Sequence, residues 1–405
     1  MNVAGIIAEY NPFHNGHKFH LQATRQRTGC DYLAVVMSGS FVQRGEPAFA
    51  DKFTRARWAL SHGADIVLEL PTVHALSSAN GFAEFGVRML AATNSVDALS
   101  FGCETPDVCA LREAANATHD ESEEFMAALR AELSSGKSYP RSIYEAAMRC
   151  GASERALTAL SQANDTLALE YIRALDKHGR HILPVAINRL GAQHDCHEPC
   201  NGFASASHLR ELLRTGAVDE TALYLPSDVL AHYTAHSSTH CAYDEERLVS
   251  CLRYELLNRG TDYLASIAGV SEGIENTLMR AACSCSDLGS ILKYCKSKRY
   301  TMARVRRSLM CVLLGITKDD VLTSRQHGPT YLRVLGVRAA AIPLLSHMCD
   351  SASVPLIVKR ADAKALSAHA LRILEIDSKA HAIRQLISPV STEIAHDFSE
   401  KFTIV

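Results

Sequence analysis

The chain lacks several features that would settle its class at once. It has no excess of charge of either sign: the formal net charge is −2 over 405 residues. A general attraction to nucleic acid is therefore excluded, and any basic surface must be local. It has no apolar run of about 18 residues, so no membrane-spanning helix is expected. Its N-terminus shows no basic segment followed by an apolar stretch, which argues against an exported protein and for a cytoplasmic one. Internal repeats and low-complexity segments are also missing. Cysteine is present, but its count of 13 is odd. That fits reduced thiols in a cytosol better than a disulfide framework.

What is there is a long chain with real core-forming capacity. Hydrophobic residues make up 47%, and the length suits two domains or three. Strand-like runs at 3–8, 32–37, 66–70, 98–101 and 182–187, the last read as the final strand of the sheet, alternate with helical patterns at 51–62, 79–92 and 164–175. This alternation predicts an α/β fold with a Rossmann-like parallel sheet. Residues 107–149 read as a helical insertion or crossover. Beyond about residue 220 the alternation fades and helices dominate, with one strand candidate at 354–358. The expected division is 1–220, a nucleotide-handling domain, and 221–405, a mainly helical domain.

The most informative stretch is the end of the first strand and the turn after it: Glu9, Tyr10, Asn11, Pro12, Phe13, His14, Asn15, Gly16 and His17. Asn11-Pro12 is a turn signal, and Asn15 onward fits a helix. A helix start offers N–H groups and a positive dipole end to phosphate. Two imidazoles there can donate to a phosphate whose charge grows in a transition state. A second element, Ser205-Ala206-Ser207-His208-Leu209-Arg210, places serines at a helix start and an arginine one turn on. Ser205 or Ser207 would cap the helix, and Ser207 and Arg210 can hold phosphate oxygens. A third, the polar and glycine-rich run from Met37 to Pro47, offers Ser38, Gln43 and Arg44 to a ligand, with Lys52 just beyond. By composition alone it fits a surface loop with Asp51 as a helix cap.

Residues 293–307 carry seven cations and no acid: Lys293, Lys296, Lys298, Arg299, Arg304, Arg306 and Arg307. Tyr294 and Tyr300 are interleaved. Cations with aromatics suit phosphate contact and base stacking. The run His194-Asp195-Cys196-His197-Glu198-Pro199-Cys200 invites a zinc reading. Consecutive Cys196 and His197 are awkward ligands for one tetrahedral ion, however, and no metal site is expected.

Several longer motifs resemble the bacterial tRNA(Met) cytidine acetate ligases, members of the His-x-Gly-His nucleotidyltransferases. They are Glu-Tyr-Asn-Pro-Phe-His-Asn-Gly-His (9–17), Phe-Val-Gln-Arg-Gly-Glu-Pro-Ala (41–48), Glu-Leu-Pro-Thr (69–72), Ala-Leu-Ser-Ser-Ala (75–79) and Leu-Ser-Phe-Gly-Cys-Glu (99–104). The likeness continues at 164–172, 188–192, 272–276 and 298–301. It implies an enzyme that activates acetate with ATP and acetylates N4 of the wobble cytidine of elongator tRNA(Met). It also implies an ATP pocket at Ile7, Ala8, Glu9, Tyr10, Asn11, Pro12, Phe13, His14, Asn15, Gly16, His17, Lys18, Phe19 and His20, with Gly102, Asn164 and Arg189. Ser40 and His208 depart from the family pattern. Mg2+ is expected with ATP, and no membrane or obligate protein partner is implied. The same motifs would also serve a small-molecule adenylyltransferase, which would leave 293–307 without purpose. A non-catalytic RNA-binding protein on this fold is the other alternative, and the intact His14, His17 and Arg210 argue against it.

Overall fold

The computed structural model describes residues 1–118, 122–162, 165–189, 202–237, 241–297, 299–390, 393–399 and 402–405. Its strands are β1 (Val3–Ala8), β2 (Tyr32–Ser38), β3 (Phe41–Val42), β4 (Glu46–Pro47), β5 (Ile66–Leu70), β6 (Ala98–Cys103), β7 (Leu183–Asn188), β8 (Leu332–Val337), β9 (Leu356–Ile357) and β10 (Thr403–Ile404). The main sheet runs β10-β8-β5-β2-β1-β6-β7, with β9 beside β8. Its pairs are parallel except β5–β8. Among the described residues no helix is long and apolar enough to cross a membrane.

Side chains alternate across the pleat, which fixes two cores. Val3 and Ile7 of β1 pack with Ala34, Val36, Ile66 and Leu68 on one face. Ala4 and Ile6 pack with Leu33, Val35 and Val67 on the other. The helix α1 (Asn15–Thr28) and the helix α2 (Lys52–Ser61) lie in the early βα units. Leu21 of α1, and Phe53, Ala56 and Leu60 of α2, join the second face. A third apolar cluster is built from the later helices, among them Met302–Leu314 and Ala368–Leu386.

The parallel sheet expected from the first half is present. The chain leaves β1 for β2 and β5 on one side, then returns to β6 on the other. This puts a topological switch point at the carboxyl ends of β1 and β6, where open α/β sheets bind ligands. Two expectations are corrected. The strand near 182–187 is not the last of the sheet, because β8 and β10 extend it. For the same reason a boundary at 220 does not divide sheet from helices. Leu332–Val337 is wholly buried, so its role depends on docking against β5, which no local pattern announces.

Candidate active site

The site begins where β1 ends. Tyr10 turns the chain with φ 49°, and a cis peptide follows between Asn11 and Pro12. The turn is held from behind by Arg55, a fully buried side chain of α2. Its guanidinium donates to the carbonyls of Glu9 (2.6 Å), Ser38 (3.0 Å) and Gly39. Asn11 accepts from the Phe49 N–H at 2.6 Å. Nothing local marked Arg55 for this work. By spacing it belongs to an ordinary amphipathic helix.

His14 is the N-cap of α1. Its Nδ1 accepts the Gly16 N–H at 3.0 Å. His17 reaches back so that its Nδ1 accepts the His14 N–H at 3.3 Å. The two rings stack with centroids 3.8 Å apart. A neutral imidazole that accepts at Nδ1 carries its proton on Nε2. Both rings are thus fixed as Nε2–H donors. Burial, with Arg189 and Arg210 nearby, pushes the His14 pKa down to about 3. Burial, His14 and Arg189 hold His17 well below the ordinary histidine value. His20 is pushed down to about 4 by burial and Arg189, and its Nε2 meets the Ser100 hydroxyl at 3.0 Å.

The helix start differs from expectation in one respect. Its N–H groups are already engaged. Asn15 N–H donates to Tyr224 O (2.8 Å), Gly16 N–H to the His14 ring, and His17 and Lys18 N–H to His14 O. The donors left for a ligand are the imidazoles, while the dipole of α1 still favours an anion. Asn15 is a docking residue, with Nδ2 donating to Leu223 O at 3.1 Å. Lys18 sits half-buried in the first turn, and Phe19 packs edge-on to Phe203.

Two arginines face this turn from distant segments. Arg189 follows β7, and its N–H donates to Cys103 O at 2.9 Å. Its stem lies over Gly102, where a Cβ would meet Arg189 Cγ at 3.2 Å. Gly102 therefore makes room for Arg189, a more indirect role than close approach to a nucleotide. Arg210 donates to Asn11 O at 2.8 Å and pairs with Glu46 at 3.1 Å. Ser205, not Ser207, caps its helix, accepting the His208 N–H at 3.2 Å. Ser207 accepts from Arg210 at 3.3 Å. Asn164 lies outside the described residues, as do Lys298 and the whole run His194 to Cys200. Asp165, unremarked in sequence beyond its motif, accepts from the N–H groups of Glu104 (2.7 Å) and Thr105 (3.0 Å) and so fixes the loop after β6. Among the described residues no three His, Cys, Asp or Glu side chains stand together as metal ligands.

The segment 38–50 corrects the surface-loop reading. It is not a surface loop, for most of it is buried, and of the side chains offered to a ligand Ser38 and Lys52 are buried while Arg44 is exposed. Asp51 does cap α2, accepting from Phe53 and Thr54 N–H. Lys52 is buried and pairs with Glu69 (2.7 Å) and Asp397 (2.8 Å). A charge removed from water needs such partners, and here they come from β5 and the C-terminal segment. Ser38 turns inward: its hydroxyl (3.2 Å) and the backbone N–H of Gln43 (2.7 Å) donate to the Glu9 carboxylate, while the Gln43 side-chain amide donates to Ser77 O at 3.3 Å. Gly45, at φ 76°, lies against the Met302–Leu314 helix, where a Cβ would meet Arg307 N at 2.5 Å. Arg384 ties the same loop down from the far end of the chain, donating to Ala48 O and Phe49 O at 2.6 Å.

The basic segment is sorted by its surroundings. Lys293 and Lys296 are exposed. Arg299 is exposed and reaches Glu272 at 3.4 Å. Arg304 stacks over the Tyr300 ring at 4.1 Å and donates to Ser271 at 3.0 Å. Arg306 is half-buried, and burial lowers the pKa of Arg307. Tyr300 is buried with its hydroxyl on Ser271, so it is not a stacking platform. Tyr294 is 47% exposed and so open to solvent.

The HIGH Nucleotidyl Transferase family profile matches residues 1–397. The tRNA(Met) cytidine acetate ligase of Clostridium perfringens (strain SM101 / Type A) is 34% identical, covering 98% of this chain and 98% of the relative. That of Thermoanaerobacter sp. (strain X514) is 36% identical over 89% of each. The crystal structure of Thermotoga maritima TmcAL bound with alpha-thio ATP has a TM-score of 0.90 and 32% identity, covering all of both chains. Its apo form has a TM-score of 0.92. With its paired imidazoles at the switch point of the sheet, this chain belongs to the HIGH nucleotidyl transferases and, within them, to the tRNA(Met) cytidine acetate ligase family.

Proposed function

We propose that this protein activates acetate with ATP and transfers the acetyl group to N4 of the wobble cytidine of elongator tRNA(Met). The observation that carries the reading is the pair of neutral Nε2–H donors of His14 and His17 at the start of α1. In the first step an acetate oxygen attacks the α-phosphorus of ATP. The bond to the bridging oxygen breaks, and pyrophosphate leaves with the electron pair. Catalysis of such a step is mainly positioning and electrostatic stabilisation. Donors already aligned when folded cost no reorganisation as charge builds.

The nucleotide pocket is assigned to Ile7 through His20, with Gly102, Asn164, Arg189, Ser207 and Arg210. Arg189 and Arg210 supply fixed positive charge, the latter once Glu46 yields to a phosphate. Mg2+ bound to the triphosphate would add positive charge to the leaving pyrophosphate; the phosphates themselves would hold it, since among the described residues no cluster of carboxylates or imidazoles is placed for it. RNA docking is assigned to the 293–307 surface. Lys293, Lys296, Lys298 and Arg306 carry the phosphate contacts, and Arg299, Arg304 and Arg307 add to the field. The wobble base must leave its stack to reach the acyl group, as single-stranded loop bases can.

One assay tests the reading: acetate-dependent ATP–pyrophosphate exchange across a panel of short carboxylic acids, then transfer to tRNA(Met). Exchange with acetate and labelled cytidine in the product are expected. Exchange that needs no carboxylic acid, or that depends on an acceptor nucleotide or phosphopantetheine instead, would identify a small-molecule adenylyltransferase.

A further inference from the structure

Acetyl transfer needs a group that the phosphate chemistry does not supply. The cytidine N4 lone pair is delocalised into its ring. The nitrogen becomes a nucleophile only if its proton leaves as the C–N bond forms. A positioned base is the usual device.

Glu9 is the carboxylate placed for this. It sits at the carboxyl end of β1, five residues before His14, at the switch point of the sheet. One oxygen is pinned by the Ser38 hydroxyl and the Gln43 N–H. Among the described residues no donor reaches its other oxygen, and the side chain is only partly buried. The hydroxyl of Tyr171, a neighbour of this carboxylate, is buried with no hydrogen-bond partner among the described residues. The loop that pins Glu9 is also the loop that touches the basic helix. Arg44 follows Gln43 directly and lies in the field of Arg307, and Gly45 packs on the backbone of Arg306 and Arg307. Glu9 therefore follows β1 directly, five residues before the first imidazole, and is held by the same loop that packs on the basic helix.

We propose that Glu9 is the general base of the acetyl-transfer step, accepting the N4 proton of the cytidine. This rests on the reading of the protein as an acetate–tRNA ligase. N4 bonds to the carbonyl carbon of acetyl-adenylate, and the bond from that carbon to the AMP oxygen breaks. AMP leaves with the electron pair, and the N4 proton passes to the Glu9 carboxylate. Burial raises the pKa of Glu9 above the ordinary carboxylate value, opposed by its hydrogen bonds and by Arg55 of α2 and supported by Glu46 of β4. A weak base is thereby made stronger, and transfer should speed up as pH rises through that value.

The test is Glu9→Gln, which keeps an acceptor for Ser38 and Gln43 and removes the basicity. Acetate-dependent exchange, single-turnover transfer to tRNA(Met) and tRNA affinity would be measured on one preparation. Transfer should fall by about 10²-fold or more, the contribution typical of a general base. Glu9 also lies in the nucleotide pocket, so exchange should fall too, but by less than transfer, and the pH dependence of transfer should flatten. Glu9→Asp retains a carboxylate and should transfer faster than Glu9→Gln, which covers the case in which the amide disturbs the loop. Equal losses of exchange and transfer would overturn the proposal and leave Glu9 to the first step or to loop structure. Wild-type transfer by Glu9→Gln would overturn it as well. If the wild-type enzyme exchanges but never acetylates tRNA, the ligase reading falls, and this proposal with it.

Discussion

The turn 9–20 and the segment 293–307 both concentrate chemistry in a few residues, yet the fold treats them differently. In the turn, the working groups are set by partners within three residues: Gly16 N–H on His14, and His14 N–H on His17. In the basic segment, the fate of each cation is set by residues elsewhere. Glu272 meets Arg299, Ser271 meets Arg304, and the 38–47 loop packs on Arg306 and Arg307. A short-range constellation keeps its meaning wherever the helix is placed. A run of charges does not, because burial and pairing decide which of them face solvent.

The largest expected effect breaks the rule at a cation sorted wholly by distant partners. Lys52→Ala leaves Glu69 and Asp397 as buried carboxylates, with Arg333 still beside them. Removing one partner of a buried pair costs about 3–5 kcal/mol. Urea denaturation should show that loss, and unchanged stability would mean the cluster is open to water. Next comes the turn itself. His14→Ala and His17→Ala should each fold and lose about 10²–10³ in acetate-dependent exchange. Wild-type exchange in both would take the pair out of the mechanism.

A pH profile sharpens the same point. With His14 at about 3 and His17 lowered too, both rings stay neutral donors through pH 6.5. Exchange should show no inflection there that His14→Ala removes. Stability responds over the same range. Unfolded histidines take up protons below 6.5 and the folded ones do not, so the folded state loses stability as pH falls from 6.5 toward 3. An unfolding midpoint that rises as pH falls over that range, with the rise lost in His14→Ala, would contradict the neutral assignment.

The basic segment gives the smaller effects. Charge reversal at Lys293, Lys296 and Arg306 should weaken tRNA binding and lower its log–log salt slope by roughly 0.7–0.9 per lost contact. Exchange should persist, since the nucleotide pocket proposed for it lies at the turn. An unchanged slope would move the RNA surface elsewhere. The smallest effect is expected at Tyr300→Phe. It removes a buried hydroxyl from Ser271 and should cost about 0.5–1.5 kcal/mol of stability while leaving tRNA affinity alone. A tRNA defect without a stability change would restore Tyr300 as a stacking residue.

The local rules were legible in the sequence. Apolar runs set between helical patterns marked β1, β2, β5, β6 and β7. Asp51 and Ser205 were readable as caps, and the His14–Gly16–His17 spacing marked the turn. Each depends on neighbours within a few residues, so the sequence by itself marked the strand runs of a parallel sheet and the imidazole pair, while the strand order that makes the switch point came with the fold. Only the tertiary structure decided what long separations control. It inserted β8 antiparallel beside β5 and buried Lys52 against Asp397. It also brought Arg384 to Ala48 across 336 residues. It turned the glycine-rich loop inward, so that Glu9 is held from one side of it and the basic helix rests on the other. The physical reason is that a charge or a strand edge is neutral in meaning until its partner is known, and here the partners lie at the opposite end of the chain.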